Sequence, residues 1–255
     1  MTFELPVGFD VDAWVSRWDW MQERCLVARE QRLAELARLV RAAVGEPRLV
    51  LDLGCGTGSV ARVLLEAFPG TEVVGVDVDP ALLALARGRC DGFQGRTRFV
   101  EADLRGNQWI AELGGRPDAA VSATALHWLG PEALAELYGR LALALAPGAV
   151  LLNADHVASS IPGVQEAWCS GRRQALRSHR TRGEEWGEFW EAFLGALGPS
   201  ARAAREAALG GVEDGDDGMP LAWHLDALRQ VGFTGVDCFW RCDTDAIYGG
   251  VLPRC

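Results

Sequence analysis

The stretch RLVLDLGCGTGSV, residues 48–60, constrains this chain more than any other. Leu49, Val50, Leu51 and Leu53 surround a single acid, Asp52, and the run ends in alternating glycines, Gly54, Gly56 and Gly58. An apolar run of this length reads as a strand buried on both faces, as in a parallel sheet. Glycines at every second position after it read as a turn whose backbone comes close to something else.

The rest of the chain continues that pattern. Further strands are expected at 72–77, 97–101, 118–123 and 148–154, separated by helical patterns near 58–67, 80–90, 107–113 and 131–146. Alternation of this kind predicts an α/β fold in which crossover helices cover a mostly parallel sheet. Upstream, residues 11–44 read as helical, with Leu33, Leu36, Ala37, Val40 and Val44 on one face and Gly45 as a C-cap. After residue 157 the rhythm breaks into helix-like sequence over 163–209, followed by an acidic, glycine-rich stretch, GGVEDGDDGMP, expected to be a solvated loop. A helix at 220–231 and strands at 235–242 and 246–251 then bring the sheet to seven strands. The segments are therefore read as an N-terminal helical unit, 1–45, and a domain over 46–255 interrupted by a helical insertion at 160–218.

Composition narrows the class. No window offers the ~18–20 uncharged apolar residues of a membrane helix, and MTFELPVGFDVDAW lacks the basic start and apolar run of a signal peptide. A cytoplasmic protein with no membrane partner is expected. The formal charge is −10 and all 25 basic residues are arginine, a balance that points away from nucleic acid and towards a small substrate. The seven cysteines form an odd set without CxxC spacing, so free buried thiols are expected rather than disulfides or a metal site. Cys238 and Cys242 are placed on one face of the same strand.

Glycine turns after a first strand serve several nucleotide-like ligands. The dinucleotide pattern G-x-G-x-x-G is not met, because the third glycine comes one residue early. The next two strands end in acids, Asp77 and Asp103, at the carboxyl edge where open parallel sheets bind ligands. A carboxylate at Asp77 can accept both hydroxyls of a ribose, and one at Asp103 stands where an adenine amino group can be held. Asp79, just before Pro80, reads instead as a helix cap.

LDLGCGTG, VVGVDVDPALLALAR, FVEADL, DAAVSATALHWL and LAPGAVLLNADH occur in this order. In these blocks the chain resembles the class I S-adenosylmethionine-dependent methyltransferases, over roughly 46–156 and again in the tail LRQVGFTGVDCFWRCDTDAIYGG. It is most similar to the small-molecule branch near the trans-aconitate and malonyl-carrier methyltransferases and related actinobacterial enzymes. The resemblance implies a Rossmann-like, doubly wound, seven-stranded sheet with N-terminal helices closing over the cofactor and a helical lid insertion. It implies S-adenosylmethionine as cofactor, with Asp52, Gly54, Gly56 and Gly58 near its methionine part, Asp77 and Val78 at the ribose, and Asp103 and Leu104 around the adenine. Thr124, Trp18 and Arg24 are further expected contacts, with Gln22 beside them.

Methyl transfer to an acidic nucleophile asks for alignment, exclusion of water and removal of a proton. His127 follows the fourth strand and His156 ends the fifth, so both are candidate bases; a neutral imidazole with a pKa of ~6.5 suits that work. His127 reads equally as a residue that orients substrate, and for His156 that reading comes ahead of the base. His179 and His224 lie in helical contexts and are read as structural. Trp128, Asn153, Asp155, Trp168 and Trp190 are the expected substrate contacts, with no metal. The expected activity is O- or N-methylation of a small hydrophobic metabolite, such as one of secondary metabolism, by a monomer or homodimer. The alternatives are a same-fold enzyme using the cofactor for another reaction such as cyclisation, or a cofactor-binding subunit without catalysis.

Overall fold

The structure is a computed structural model that describes residues 5–26, 28–93, 95–178, 184–210 and 218–254. Seven strands form one sheet in the order β3-β2-β1-β4-β5-β7-β6. β1 (Leu49–Leu53), β2 (Glu72–Asp77), β3 (Thr97–Glu101), β4 (Ala119–Ala123) and β5 (Val150–His156) run parallel. β6 (Thr234–Cys242) and β7 (Asp245–Val251) form a hairpin, and β7 lies antiparallel to β5. Each strand starts and ends within two residues of its expected bounds.

The period-two geometry of a strand sends alternate residues to opposite faces. Leu51, Leu53, Val74, Val76, Ala120 and Leu151 pack with Leu134, Leu137 and Leu141 of α6 (Pro131–Ala144) and Leu228 of α10 (Leu221–Gln230). Val50, Val73, Ala119, Val121, Val150 and Leu152 face the other way, onto α2 (Arg29–Val44) and α3 (Ser59–Ala67). Burial on both faces explains why β1 reads as a continuous apolar run. Each such side chain taken fully out of water contributes ~1.5–3 kcal/mol.

The N-terminal helical stretch is broken rather than continuous. α1 (Val11–Cys25) stops at Leu26, and Ala28 takes a left-handed conformation (φ 56°) that turns the chain into α2. The helix expected over 107–113 shrinks to α5 (Gln108–Ala111): the amides of Glu112 and Leu113 reach back only three residues, to the Trp109 and Ile110 carbonyls, before Gly114 turns at φ +70°. α4 (Pro80–Arg89) starts as expected, with Asp79 accepting from the amides of Ala81 and Leu82.

The insertion carries α7 (Pro162–Ser178), α8 (Trp186–Leu197) and α9 (Pro199–Leu209); His179 and most of the acidic loop lie outside the described residues. α8 and α9 do not stand apart from the domain. Val15, Trp18 and Met21 of α1 share a core with Leu82 and Leu85 of α4 and with Phe189, Trp190, Phe193, Leu194 and Ala201. Trp14 meets Phe193 at 5.2 Å between ring centres, and Trp18 meets Phe189 at 5.4 Å. Trp168 of α7 lies elsewhere, 4.6 Å from the Arg241 guanidinium.

The cysteine expectation needs one correction. Cys55, Cys90, Cys238 and Cys242 form no disulfide, yet Cys242 is exposed while Cys238 packs against the core. The β6–β7 register slips between Cys238 and Trp240, which ends the alternation that would have kept the two on one face. Among the described residues no helix is long and apolar enough to cross a membrane.

β7 is packed tightly against its neighbour. A Cβ on Gly249 would sit 1.8 Å from the Leu151 carbonyl oxygen, a backbone atom that cannot swing away. Gly249→Ala is expected to cost ~2–3 kcal/mol and to lower the thermal midpoint by about 5–10 °C. A midpoint within one degree of wild type would contradict this packing.

Candidate active site

The carboxyl ends of β1–β5 open into a cavity of about 730 Å³, a size suited to a nucleotide-sized ligand with a small partner. Its floor is the glycine turn after β1 together with the ends of β2, β3 and β4. Its roof comes from Trp18, Gln22, Arg29 and Arg32 of α1 and α2 and from Trp186, Trp190, Arg205 and Leu209 of α8 and α9.

The turn is held by backbone bonds. The amides of Gly54 and Cys55 donate to the Val76 carbonyl at 2.8 and 3.1 Å, and that of Gly58 donates to Cys55 at 2.8 Å. Gly54, Gly56 and Gly58 all have positive φ, between 52° and 76°. A Cβ on Gly54 would meet that of Ala125 at 2.3 Å, and one on Gly58 would press on Ala86 of α4. A Cβ on Gly56, by contrast, would enter open space in the cavity. Gly54 and Gly56 line the cavity, whereas Gly58 lies behind it as a packing residue.

The three strand-end acids differ. Asp77 accepts from Gly56 N at 2.7 Å and Asp79 N at 2.9 Å while lining the cavity. Burial pushes its pKa up to about 6. Asp103 and Leu104 line the wall at the end of β3. Burial disfavours the Asp103 charge, but hydrogen bonds from Arg105, the closest at 2.7–2.8 Å, outweigh it and hold the pKa below the ordinary value. Asp52 is fully buried beneath the turn and does not line the cavity. Its Oδ2 accepts from Ala61 N in the first turn of α3, its Oδ1 has no partner, and burial raises it to about 8. The structure thus gives Asp52 the work of tying β1 to α3. Val78 and Thr124 also line the cavity, Thr124 in the left-handed region at φ 52°.

Two histidines face each other at the cavity end beyond β4 and β5, their ring centres 5.4 Å apart. His127 Nδ1 lies 2.7 Å from Asp155 Oδ1, and the His127 amide donates to Oδ2 at 3.1 Å. Asp155 therefore fixes both ring and backbone, and an Nδ1–H directed at it makes Nε2 the acceptor of the neutral ring. Burial lowers the His127 pKa, but the charge and hydrogen bond of Asp155 outweigh it and the net direction is up. Asp155 in turn is held well below the usual carboxylate range, since its pairing with His127 and His156 exceeds the cost of burial. His156 Nδ1 pairs with Asp245 at 2.7 Å, and Arg32 reaches the same carboxylate oxygen at 2.8 Å. Trp128 stands beside His127, 41% exposed at the cavity mouth.

The remaining expected contacts divide. Trp18 and Trp190 line the cavity, and Trp190 lies 3.7 Å beneath the Arg205 guanidinium. Asp155 acts from behind His127, and Asn153 donates to Tyr248 OH at 2.7 Å in a buried knot with Tyr138 and His224; neither lines the cavity. His224 belongs to that knot, and burial lowers its pKa to about 4. Trp168 lies outside the cavity, and Arg24 lies outside the residues whose side chains are described. Arg29, Arg32, Ser59 and Arg205 were not singled out by the sequence, although an arginine within the apolar stripe of α2 was a usable signal for Arg32.

A family profile described as "Methyltransferase domain" matches residues 50–148. The trans-aconitate 2-methyltransferase of Acidovorax ebreus is 36% identical over 136 residues, covering 52% of this chain and 48% of that enzyme. The enzyme of the same name from Paracidovorax citrulli is 32% identical over 194 residues, covering 76% of this chain and 64% of its own length. The chain thus spans between 40% and 64% of the length of the relatives it matches. A solved O-methyltransferase family protein from Burkholderia thailandensis shares the fold at a TM-score of 0.58, with 15% identity over 95% of this chain and 70% of that one. Residues 50–148, which carry the glycine turn and the central strands of the sheet, are thus similar to a methyltransferase domain and to the trans-aconitate 2-methyltransferases.

Proposed function

We propose that this protein transfers the methyl group of S-adenosylmethionine to an oxygen or nitrogen of a small metabolite, with His127 as general base. The observation that carries the reading is the His127–Asp155 pair set at the cavity end, one strand away from the glycine turn. The residues present suit the cofactor. Gly56 leaves open space where any side chain would intrude, and Asp77 presents a carboxylate beside it. When bound, S-adenosylmethionine supplies an electrophilic methyl group on a sulfonium. Asp77 and Asp103 would orient the nucleoside from the ends of β2 and β3. Helices α1, α8 and α9 would close over it and exclude water.

His127 Nε2 would take the proton of the attacking group, and Asp155 would stabilise the imidazolium that results. Trp18, Trp128, Trp186 and Trp190 give the cavity aromatic walls, which favours a substrate with an apolar part, as in secondary metabolism. The insertion is the element we assign to substrate choice. Because α8 and α9 also roof the glycine turn, excising 160–218 is expected to weaken cofactor binding as well.

Calorimetry tests the cofactor assignment. S-adenosylmethionine and S-adenosylhomocysteine are expected to bind and NAD is not, while Asp77→Ala should weaken binding ~10- to 100-fold. Unchanged affinity in Asp77→Ala would remove that carboxylate from the site.

Turnover against pH tests the base. The active form of His127 is the neutral one, so kcat should rise with pH through a limb above ~6.5, where the raised pKa places it. His127→Ala should lower kcat by ~10²–10⁴-fold with cofactor affinity nearly unchanged. In Asp155→Asn the raising charge is gone while burial remains, so any residual limb should move to lower pH. A limb that keeps its position in both variants would exclude His127 as the base.

A further inference from the structure

The two roof helices contributed by the insertion are held in different ways. α8 is anchored by a core, since Phe189, Trp190, Phe193, Leu194 and Leu197 are buried with α1 and α4. α9 has no such anchor. Ala201 is its one buried side chain, and Arg202 reaches only the exposed Glu191 of α8, at 3.5 Å. Its firm tie to the rest of the domain is Arg205. Arg205 Nε donates to Asp79 Oδ2 at 2.8 Å, and the guanidinium covers the Trp190 ring at 3.7 Å. The Asp79 side chain is 4% exposed, so solvent screens the pair little.

The place where this tie lands matters. Asp79 caps α4, and its own amide donates to Asp77 Oδ1 at 2.9 Å. Asp79, Leu82, Arg205 and Leu209 line the cavity together with Asp77. α9 is thus fastened two residues from the carboxylate that the cofactor reading gives to the ribose. Both Asp79 oxygens are engaged within the protein, Oδ1 by the amides of Ala81 and Leu82 and Oδ2 by Arg205. The tie asks nothing of a ligand and holds to the same extent with or without one. A contact of that kind governs how often a roof opens rather than how tightly a ligand is held.

The joint between α8 and α9 is a single residue. Gly198 ends one helix and begins the other at φ +89°, and a Cβ there would meet nothing within 4 Å. One glycine in open space can absorb the rotation of a helix against its neighbour. Pro199 then opens α9 with a fixed φ, which leaves the turning to Gly198.

We infer that α9 is a flap, hinged at Gly198 and latched by Arg205 to Asp79, through which S-adenosylmethionine enters and S-adenosylhomocysteine leaves. The inference rests on the cofactor reading proposed above.

Stopped-flow tryptophan fluorescence of the full-length protein tests it with S-adenosylhomocysteine alone, because Trp18, Trp186 and Trp190 line the cavity. Arg205→Met keeps an apolar stem over Trp190 and breaks the latch. It should raise the association and dissociation rate constants together by ~10-fold, with the calorimetric Kd within ~3-fold of wild type. Asp79→Asn retains a helix cap and should raise both rates in the same way, and the double variant should do no more than either single one. Asp79→Asn carries the test if Arg205→Met does not fold. Arg17→Met, which breaks the pair with Glu184 on the side packed by aromatic rings, should change neither rate. A weaker Kd with unchanged association would make Arg205 a ligand contact. Unchanged rates would leave the latch without effect, and rates raised equally by Arg17→Met would make the whole insertion the moving part. Each of these outcomes overturns the flap and leaves the cofactor reading intact. A wild type that does not bind S-adenosylhomocysteine would overturn both.

Discussion

The hydrogen bond from the Gly56 amide to Asp77 is the contact on which the site depends. It joins the turn after β1 to the end of β2, and the paired amides of Gly54 and Cys55 on Val76 hold the same two strands one step earlier. The turn can follow this path only because its glycines tolerate positive φ and because Ala125 leaves no room for a Cβ on Gly54. Asp77 bears a cost in this position. Its pKa of about 6 reports a carboxylate whose burial is only partly offset by the amides it accepts.

The roof over the turn is built from parts far apart in the chain. α1 alone is a weakly apolar helix, and α8 has more aromatic surface than a free helix can keep in water. Each supplies what the other lacks, through Trp14 and Trp18 against Phe189, Trp190 and Phe193. Arg205 adds a polar tie, 2.8 Å from Asp79 at the start of α4, while it covers Trp190. Arg17 of α1 pairs with Glu184 just ahead of α8. The insertion therefore shares its core with the cofactor half of the molecule and cannot be a purely substrate-facing appendage.

The sheet and the glycine turn were legible because burial on both faces leaves an apolar run that local sequence alone displays. What escaped reading depended on direction or on distance. In NADH, the tetrapeptide 153–156, Asn153, Asp155 and His156 read as one polar cluster. The pleat instead sends Asn153 and Asp155 to the α6 side, where Asn153 joins Tyr248, and His156 to the α2 side, where it meets Asp245 and Arg32. Trp168 and Trp190 were equally plausible as pocket walls, and only the packing of α8 on α1 separates them. The Ala28 break between α1 and α2 left no glycine or proline to mark it. Arg29 was invisible because its meaning lies in Asp19, Arg89 and Ser59, residues brought to it from three other helices, α1, α4 and α3.

The two histidine–carboxylate pairs look alike but are not equivalent. Asp155 is fully buried and meets His127 with both oxygens, one on the ring and one on the backbone, so the imidazole has a single orientation and its proton a single address. Asp245 is divided between His156 and Arg32, and the Arg172 guanidinium lies 3.2 Å from His156 Nε2. His156 therefore shares its carboxylate with one arginine and has a second beside its ring. His127 by contrast meets Asp155, whose charge and hydrogen bond outweigh burial and raise its pKa. The reading proposed above therefore assigns proton removal to the histidine after β4, with the one ending β5 as part of the wall opposite it.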